Sequence, residues 1–209
     1  GKIKGAGTFD GSDDYIEFGN IQLFNLTNTS SFSAWIYING NITKNDIISN
    51  YNSLGNTAQY QLEDASDGKV QFYVDGAEYK GWLSPVGTIQ NNQWYHIVAT
   101  NDGTLSNGGV VLYVNAVTQS SSYDSSGTPD IPVSGYGNTA IGRAGSYNGF
   151  YFNGSIDEVA IWNRSLNSTE ILNLYNKQRN RFQFSVRNCS TSDCSGASVL
   201  VFGIFSCIV

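Results

Sequence analysis

The 209-residue chain contains no methionine, a single histidine and three cysteines, and only 13% of its residues are charged. Each shortage excludes something. Without methionine, and opening at Gly1 in mid-pattern, the sequence reads as a fragment or processed piece of a longer protein, so a missing leader carries no information. One histidine with no paired cysteines offers no metal-ligand spacing, and no G-x-S-x-G accompanies His96 to suggest a nucleophile. His96, mid-strand on the face of Trp94 and Val98, reads as a hydrogen-bonded structural residue. Basic residues are outnumbered 11 to 17 by acidic ones, giving a net charge of −6 that would repel a phosphate backbone. Nucleic acid is excluded as a partner. No apolar run reaches the roughly 20 residues of a membrane-spanning helix.

Ser, Thr, Asn and Gly supply the polarity, and 13 Tyr and 11 Phe the bulk, a mixture suited to many short strands joined by turns. Period-two alternation dominates. Ile16 and Phe18 share a face, as do Phe32, Ala34, Ile36 and Ile38, with Trp35 and Tyr37 opposite. Val70, Phe72 and Val74 form a third stripe, Tyr95, Ile97 and Ala99 a fourth, Leu112 and Val114 a fifth, and Asp157, Val159 and Ile161 a last one. Asp75-Gly76, Asp102-Gly103 and Asn107-Gly108 mark hairpin turns between them. The spacing predicts an all-β antiparallel sandwich. One helix interrupts it: Asn167-Ser168-Thr169-Glu170 is a capping box, followed by Ile171, Leu174 and Tyr175 at helical spacing and fading near Lys177.

Beyond that helix the character changes. Residues 177–181 are basic, Phe182 to Val186 alternates as a strand, and Val199 to Val209 is almost wholly apolar. Residues 1–177 therefore read as one domain and 178–209 as an extension with strand-like segments. Three outcomes stay open for the extension: addition to an edge of its own sandwich, self-association with another copy, or the start of a domain cut off at Val209. Cys189 and Cys194 lie close enough in sequence to close a small disulfide, leaving Cys207 over. Sequons at Asn25, Asn28, Asn41, Asn153, Asn163, Asn167 and Asn188 fit an extracellular or cell-surface setting. Gly135 to Ala140 formally matches a dinucleotide fingerprint, but Ile141-Gly142 reads as a strand end where that motif needs a helix.

Six segments in order carry a resemblance. Phe9-Asp10-Gly11-Ser12-Asp13-Asp14-Tyr15-Ile16, Phe32 to Ile36, Trp94 to Ala99, Leu112 to Asn115, Phe152 to Val159, and Trp162 to Leu166 with Glu170-Ile171 resemble the motifs of laminin G-like, concanavalin A-like lectin/glucanase jelly-roll domains. Ala116 stands where that family's turn usually has Gly. The resemblance covers residues 1 to about 176. It implies a two-sheet antiparallel jelly roll with one short C-terminal helix, appended to extracellular proteins and often holding a structural calcium ion. Because the family's first and last strands are neighbours, it also implies that Asp10 and Asp157 meet, with Asp13 and backbone carbonyls of the 10–14 turn completing a calcium shell. The competing reading is that Asp157, on an apolar face, accepts backbone N–H groups and no ion is held.

The resemblance implies binding of glycans or proteins, or only the spacing of other domains; the reading taken is a non-catalytic module whose partner is a carbohydrate or cell-surface glycoprotein. Aromatic loop residues beside amides suit sugars, which places candidate ligand contacts at Trp82, Tyr147, Asn148 and Tyr151. The rivals are a structural or assembly domain with no glycan ligand and, less favoured, a jelly-roll glycoside hydrolase. The hydrolase needs paired carboxylates. Glu158 has Ala160 and Trp162 where acids would be required, and Glu63 with Asp67 reads as part of a turn.

Overall fold

The computed structural model describes residues 5–20, 29–40, 44–52, 57–75, 79–124, 137–145, 149–179, 185–188 and 198–201. The strands, in chain order, are β1 (Gly7–Asp10), β2 (Ile16–Gly19), β3 (Ser30–Ile38), β4 (Asn45–Asn52), β5 (Thr57–Ala65), β6 (Lys69–Asp75), β7 (Tyr79–Leu83) and β8 (Trp94–Asn101). They continue with β9 (Val110–Val114), β10 (Val117–Thr118), β11 (Ser122–Tyr123), β12 (Asn138–Ile141), β13 (Asn153–Trp162), β14 (Ser185–Asn188) and β15 (Ser198–Val201), with one helix, α1 (Ser168–Arg179), after β13. A six-stranded sheet runs β1-β13-β3-β8-β9-β10 and a seven-stranded sheet β11-β7-β6-β5-β4-β12-β2. Every pairing is antiparallel. This is the two-sheet jelly-roll sandwich expected.

The sheets meet through the stripes that alternation identifies. Phe32, Ala34, Ile36, Ile97, Leu112 and Ile156 from one sheet pack against Ile48, Leu62, Val70, Phe72 and Trp82 from the other, all in one buried cluster. Phe32 sits at its centre, its ring 4.5 Å from that of Tyr60 and 5.4 Å from that of Phe72. Trp82, expected as a ligand contact, is instead a core residue: it is 0% exposed and its ring lies 6.2 Å from Phe72. The correction follows from pairing, because Trp82 is opposite core-facing Phe72 in the β6–β7 ladder and must point inward with it.

A second cluster lies on the outer face of the six-stranded sheet, where Val98 and Tyr113 meet Leu166 and Ile171. There Trp35 stacks on Tyr175 of α1 at 5.5 Å and 16°, with His96 5.2 Å from the Trp35 ring. The helix is positioned by the reciprocal cap foreseen: Asn167 Oδ1 accepts the Glu170 N–H at 2.9 Å, and Glu170 Oε2 accepts the Asn167 N–H at 3.0 Å. Ser31 anchors the approach to it, its hydroxyl donating to the Arg164 carbonyl and accepting the Leu166 N–H, both at 2.9 Å. His96 is structural but not hydrogen-bonded through its ring: both nitrogens lack a partner among the described residues, and burial lowers its pKa to about 4. Packing between two aromatic rings takes the place of the hydrogen bond expected.

Strand β13 departs from simple alternation. Its register with β3 shifts between Asp157 and Ala160, and Glu158 has φ +50°. The bulge lets Ile156 and then Val159 both reach the core, which leaves Asp157 on the outer face, opposite Trp35. Of the extension, β14 and β15 pair only with each other among the described residues. The strand-like runs were expected to seek partners, and part of each finds the other; residues 182–184 and 202–209 and all three cysteines lie outside the described residues.

The β9–β10 turn consists of Asn115 and Ala116 alone, since Val114 pairs with Val117. Both turn residues have positive φ, +52° and +65°, as two-residue hairpins of this type require. Asn115 is held by accepting the His96 N–H on its side chain at 3.0 Å, but Ala116 bears a Cβ in a conformation that glycine adopts without penalty. We expect Ala116→Gly to stabilise the domain by about 1 kcal/mol in urea unfolding; no gain, or a loss, would show that the turn is not under this strain.

Candidate functional site

The seven-stranded sheet has a second face, turned away from the core. On β5, Tyr60 and Leu62 point inward, so Gln59, Gln61 and Glu63 point outward. The same parity places Gln71 and Tyr73 of β6 outward, opposite Glu63 and Gln61 respectively. A register shift between Asp46 and Ile48 lets Ile47 and Ile48 both join the core and turns Asp46 outward opposite Glu63. Gln61 Nε2 donates to both Asp46 carboxylate oxygens at 3.0 Å. At the far side, Asp124 accepts the Gly81 N–H at 2.6 Å and the Gln71 amide at 3.0 Å. Gly81 makes room for this, because a Cβ there would collide with both side chains.

This face is polar yet closed. Asp46, Ser49 and Glu63 are 0% exposed, and Gln59, Gln61 and Gln71 no more than 5%. Burial pushes the Asp46 carboxyl up to about 7 against the pull of its Gln61 bond. Glu63 is raised as well, first by burial and then by the Asp46 charge, with Lys44 opposing. Neither Glu63 oxygen has a hydrogen-bond partner among the described residues; the Lys44 ammonium lies 3.6 Å from Oε1. Asp64, one residue on and so on the opposite face, is raised to about 7 by burial although it accepts the Asn45 N–H at 2.7 Å. Above the acid pair, the Lys44 ammonium stands 5.1 Å from the Tyr73 ring centre and 5.6 Å from that of Phe150. Tyr73 in turn stacks on Tyr79 at 5.9 Å. Phe150, Lys44, Tyr73 and Tyr79 thus form a continuous strip, with Phe150 and Tyr79 exposed at its ends. Ring faces, primary amides, carboxylates and an ammonium are together the groups that recognise polyhydroxylated ligands.

The residues expected from the sequence fall elsewhere. Tyr147 and Asn148 lie outside the described residues. Tyr151 is half-buried, its ring 6.4 Å from Tyr15, over which the Arg143 guanidinium sits at 3.6 Å while pairing with Glu17. Asp10 and Asp13 do come together, joined by Asp14, with carboxylate oxygens within 4.8 Å of one another. Asp10 Oδ1 accepts the N–H of Ser12 at 2.8 Å and of Asp13 at 3.3 Å, which folds the turn. Asp157 does not join them. Asp10 pairs with Asn153, and Asp157 lies four residues further along β13, about 13 Å away at ~3.3 Å per residue. The three remaining carboxylates are hard oxygen donors of the kind calcium takes.

Asp46 and Glu63 escape a reading of the sequence because what joins them is the β4–β5 register. The polar-apolar alternation of Gln59 to Glu63 is the signal that was present. It shows a strand continuing through Glu63 to Ala65, with the turn only at 66–68.

The raised carboxyls make stability depend on pH. Native Asp46 and Asp64 hold protons that the unfolded chain releases above its ordinary 3.8. Their contribution is therefore complete below that value and is lost as pH rises through about 7. His96 acts oppositely, its contribution being lost as pH falls from 6.5 toward 4. With more carboxyls than histidines shifted, we expect a higher Tm at about pH 5 than at about pH 8, and a smaller difference in Asp46→Asn. Equal melting at both pH values would show that these acids are not desolvated.

Comparison with known proteins gives a consistent picture. The NanB sialidase of Streptococcus pneumoniae (K499G mutant) superposes with a TM-score of 0.66 at 14% identity, over 88% of this chain; the chain spans 29% of that enzyme. A carbohydrate-binding module, CBM40, of the Ruminococcus gnavus IT-sialidase, solved with α2,3-sialyllactose, gives 0.61 at 14% identity over 78% of this chain and 97% of the module. Domain 4 of the extracellular arabinanase AbnA from Geobacillus stearothermophilus, solved with arabinotriose, gives 0.58 at 20% identity over 84% and 78%. No curated protein matches the chain in sequence. At these identities the superpositions establish the fold. The sequence itself matches the family described as the concanavalin A-like lectin/glucanases superfamily over residues 10–172, and the chain belongs to that superfamily.

Proposed function

We propose that this chain is a non-catalytic carbohydrate-binding module working outside the cell, and that it binds glycan on the outer face of its seven-stranded sheet. The observation that carries the reading is the strip Phe150–Lys44–Tyr73–Tyr79 lying over buried Gln61, Asp46 and Glu63. A sheet face covered for stability alone would be apolar; one that keeps amides and acids at the cost of desolvation suits a polar ligand. Neighbours of the same fold are a carbohydrate-binding module solved with sialyllactose and an arabinanase domain solved with arabinotriose, which supports the ligand class. The sequons and the low charge content support the extracellular setting. No helix among the described residues is long and apolar enough to cross a membrane.

A hydrolase is the reading this geometry favours less. Asp46 and Glu63 face each other across neighbouring strands, but retaining chemistry needs an ionised carboxylate that a sugar can reach. Here both acids are closed to solvent and both are biased toward their neutral forms. A broad array of neutral, amino and acidic glycans is the test. Binding without turnover is expected, weakened about tenfold by Tyr79→Ala or Phe150→Ala, a loss of roughly 1.4 kcal/mol. Both rings are partly exposed, so folding should survive. A folded protein silent across the array would favour a structural or assembly domain, and turnover would overturn the non-catalytic reading.

A structural calcium ion at Asp10, Asp13 and Asp14 belongs to the same proposal, with Asp157 left out. A ligand that binds only the native state raises its melting temperature. Millimolar calcium should therefore raise Tm, EGTA should reverse the rise, and Asp13→Asn should remove it. An unchanged Tm in all three would mean that the turn is held by its Asp10 hydrogen bonds alone.

A further inference from the structure

The setting of Lys44 has the make-up of a recognition site for an ammonium ion. Two aromatic faces flank the nitrogen, at 5.1 and 5.6 Å, and the Glu63 carboxyl group, with no hydrogen-bond partner among the described residues, lies beneath it at 3.6 Å. Aromatic faces and carboxylates attract a cation by the same electrostatics, most strongly where water is excluded. We propose that this cage is a subsite for a protonated amino sugar and that Lys44 is its built-in, displaceable occupant; the inference rests on the carbohydrate reading above.

Three observations support displacement. At 3.6 Å the Lys44–Glu63 contact is too long for a hydrogen bond, so among the described residues the fully buried carboxyl group is left incompletely satisfied. The lysine side chain is 44% exposed against 0% for Glu63, so the lysine is the partner free to swing outward. Ordering its long flexible stem also costs rotamer entropy that a rigid sugar ring does not incur. Once Lys44 has swung away and uncovered Glu63, an amine fixed on a pyranose can take the place of its ammonium while the ring packs on Phe150 or Tyr79.

The charge balance decides the sugar class. Two acids, Asp46 and Glu63, face the strip, and the single ammonium of Lys44 is set against them. A sialic or uronic acid would bring a third carboxyl group to the same place, whereas an amino sugar keeps an ammonium there and favours the ionised forms of both acids. N-acetylation removes that charge and enlarges the group, so acetylated hexosamines should be discriminated against.

The probes are β-1,4-linked glucosamine oligomers, their fully N-acetylated forms, sialyllactose and a lysine-rich peptide, titrated calorimetrically against the full chain. The glucosamine oligomers should bind at least tenfold tighter than the other three. Lys44→Ala should tighten that binding several-fold by vacating the cage, and Glu63→Gln should weaken it about tenfold. Lys44 is half-exposed, so its variant keeps the test open should Glu63→Gln fail to fold. Weaker binding in Lys44→Ala would make the lysine a ligand contact and overturn the proposal. Equal binding of acetylated and free oligomers overturns it while leaving the carbohydrate reading intact; preference for the peptide overturns the sugar assignment; and a folded protein that binds nothing overturns both.

Discussion

A β-sheet in a sandwich needs only one dry face. The seven-stranded sheet buries both, and the second is lined with Ser49, Gln59, Gln61, Glu63, Gln71 and Asp46. Placing two carboxyls and three amides out of water is costly unless each finds a partner or a proton. Much of the local architecture can be read as meeting that demand. Gln61 spends its amide on Asp46, Asp124 reaches over Gly81 to meet Gln71, and the Arg143 carbonyl accepts from the Ser49 hydroxyl at 2.8 Å. Among the described residues of this face, Glu63 is where the demand is not fully met.

The six-stranded sheet solves the same problem differently. Its outer face carries Trp35, Val98, Tyr113 and His96, and α1 covers it with Ile171 and Tyr175. That face is largely apolar, sealed by a helix whose cap and Ser31 anchor fix where it lands. The two outer faces thus divide the work: one closed by aromatic packing, the other kept chemically rich.

Much of this was legible in the chain. Stripes such as Phe32, Ala34, Ile36 and Ile38 fix which residues face the core because a strand's side chains alternate strictly. The Asn167–Glu170 cap was legible because both partners lie within one turn of helix. Legibility failed where one residue was inserted into a ladder. The bulge at Glu158 reverses the facing of Asp157, so an acid that alternation places among apolar neighbours lies on the opposite side. A similar irregularity in β4 brings Asp46 to Glu63. Trp82 was misjudged because composition marks it as a sugar-binding residue, whereas only its pairing with Phe72 shows it to be interior. Register between distant strands is a property of the whole fold, and no local pattern encodes it.

The topology also governs how the chain can acquire its structure. Each sheet takes one edge strand from the start of the sequence and seats it against a strand from near its end: β1 on β13, and β2 on β12. Phe9 accordingly packs edge-on against Phe152 at 6.3 Å. During synthesis the first two strands emerge with no partner and must wait until nearly the whole domain has left the ribosome. Pairings of such long sequence separation carry a large loop-closure cost before any contact rewards it, which places folding in the slow range of milliseconds to seconds. Through that interval Ile16 and Phe18 stand on an unpaired strand, open to association with other chains.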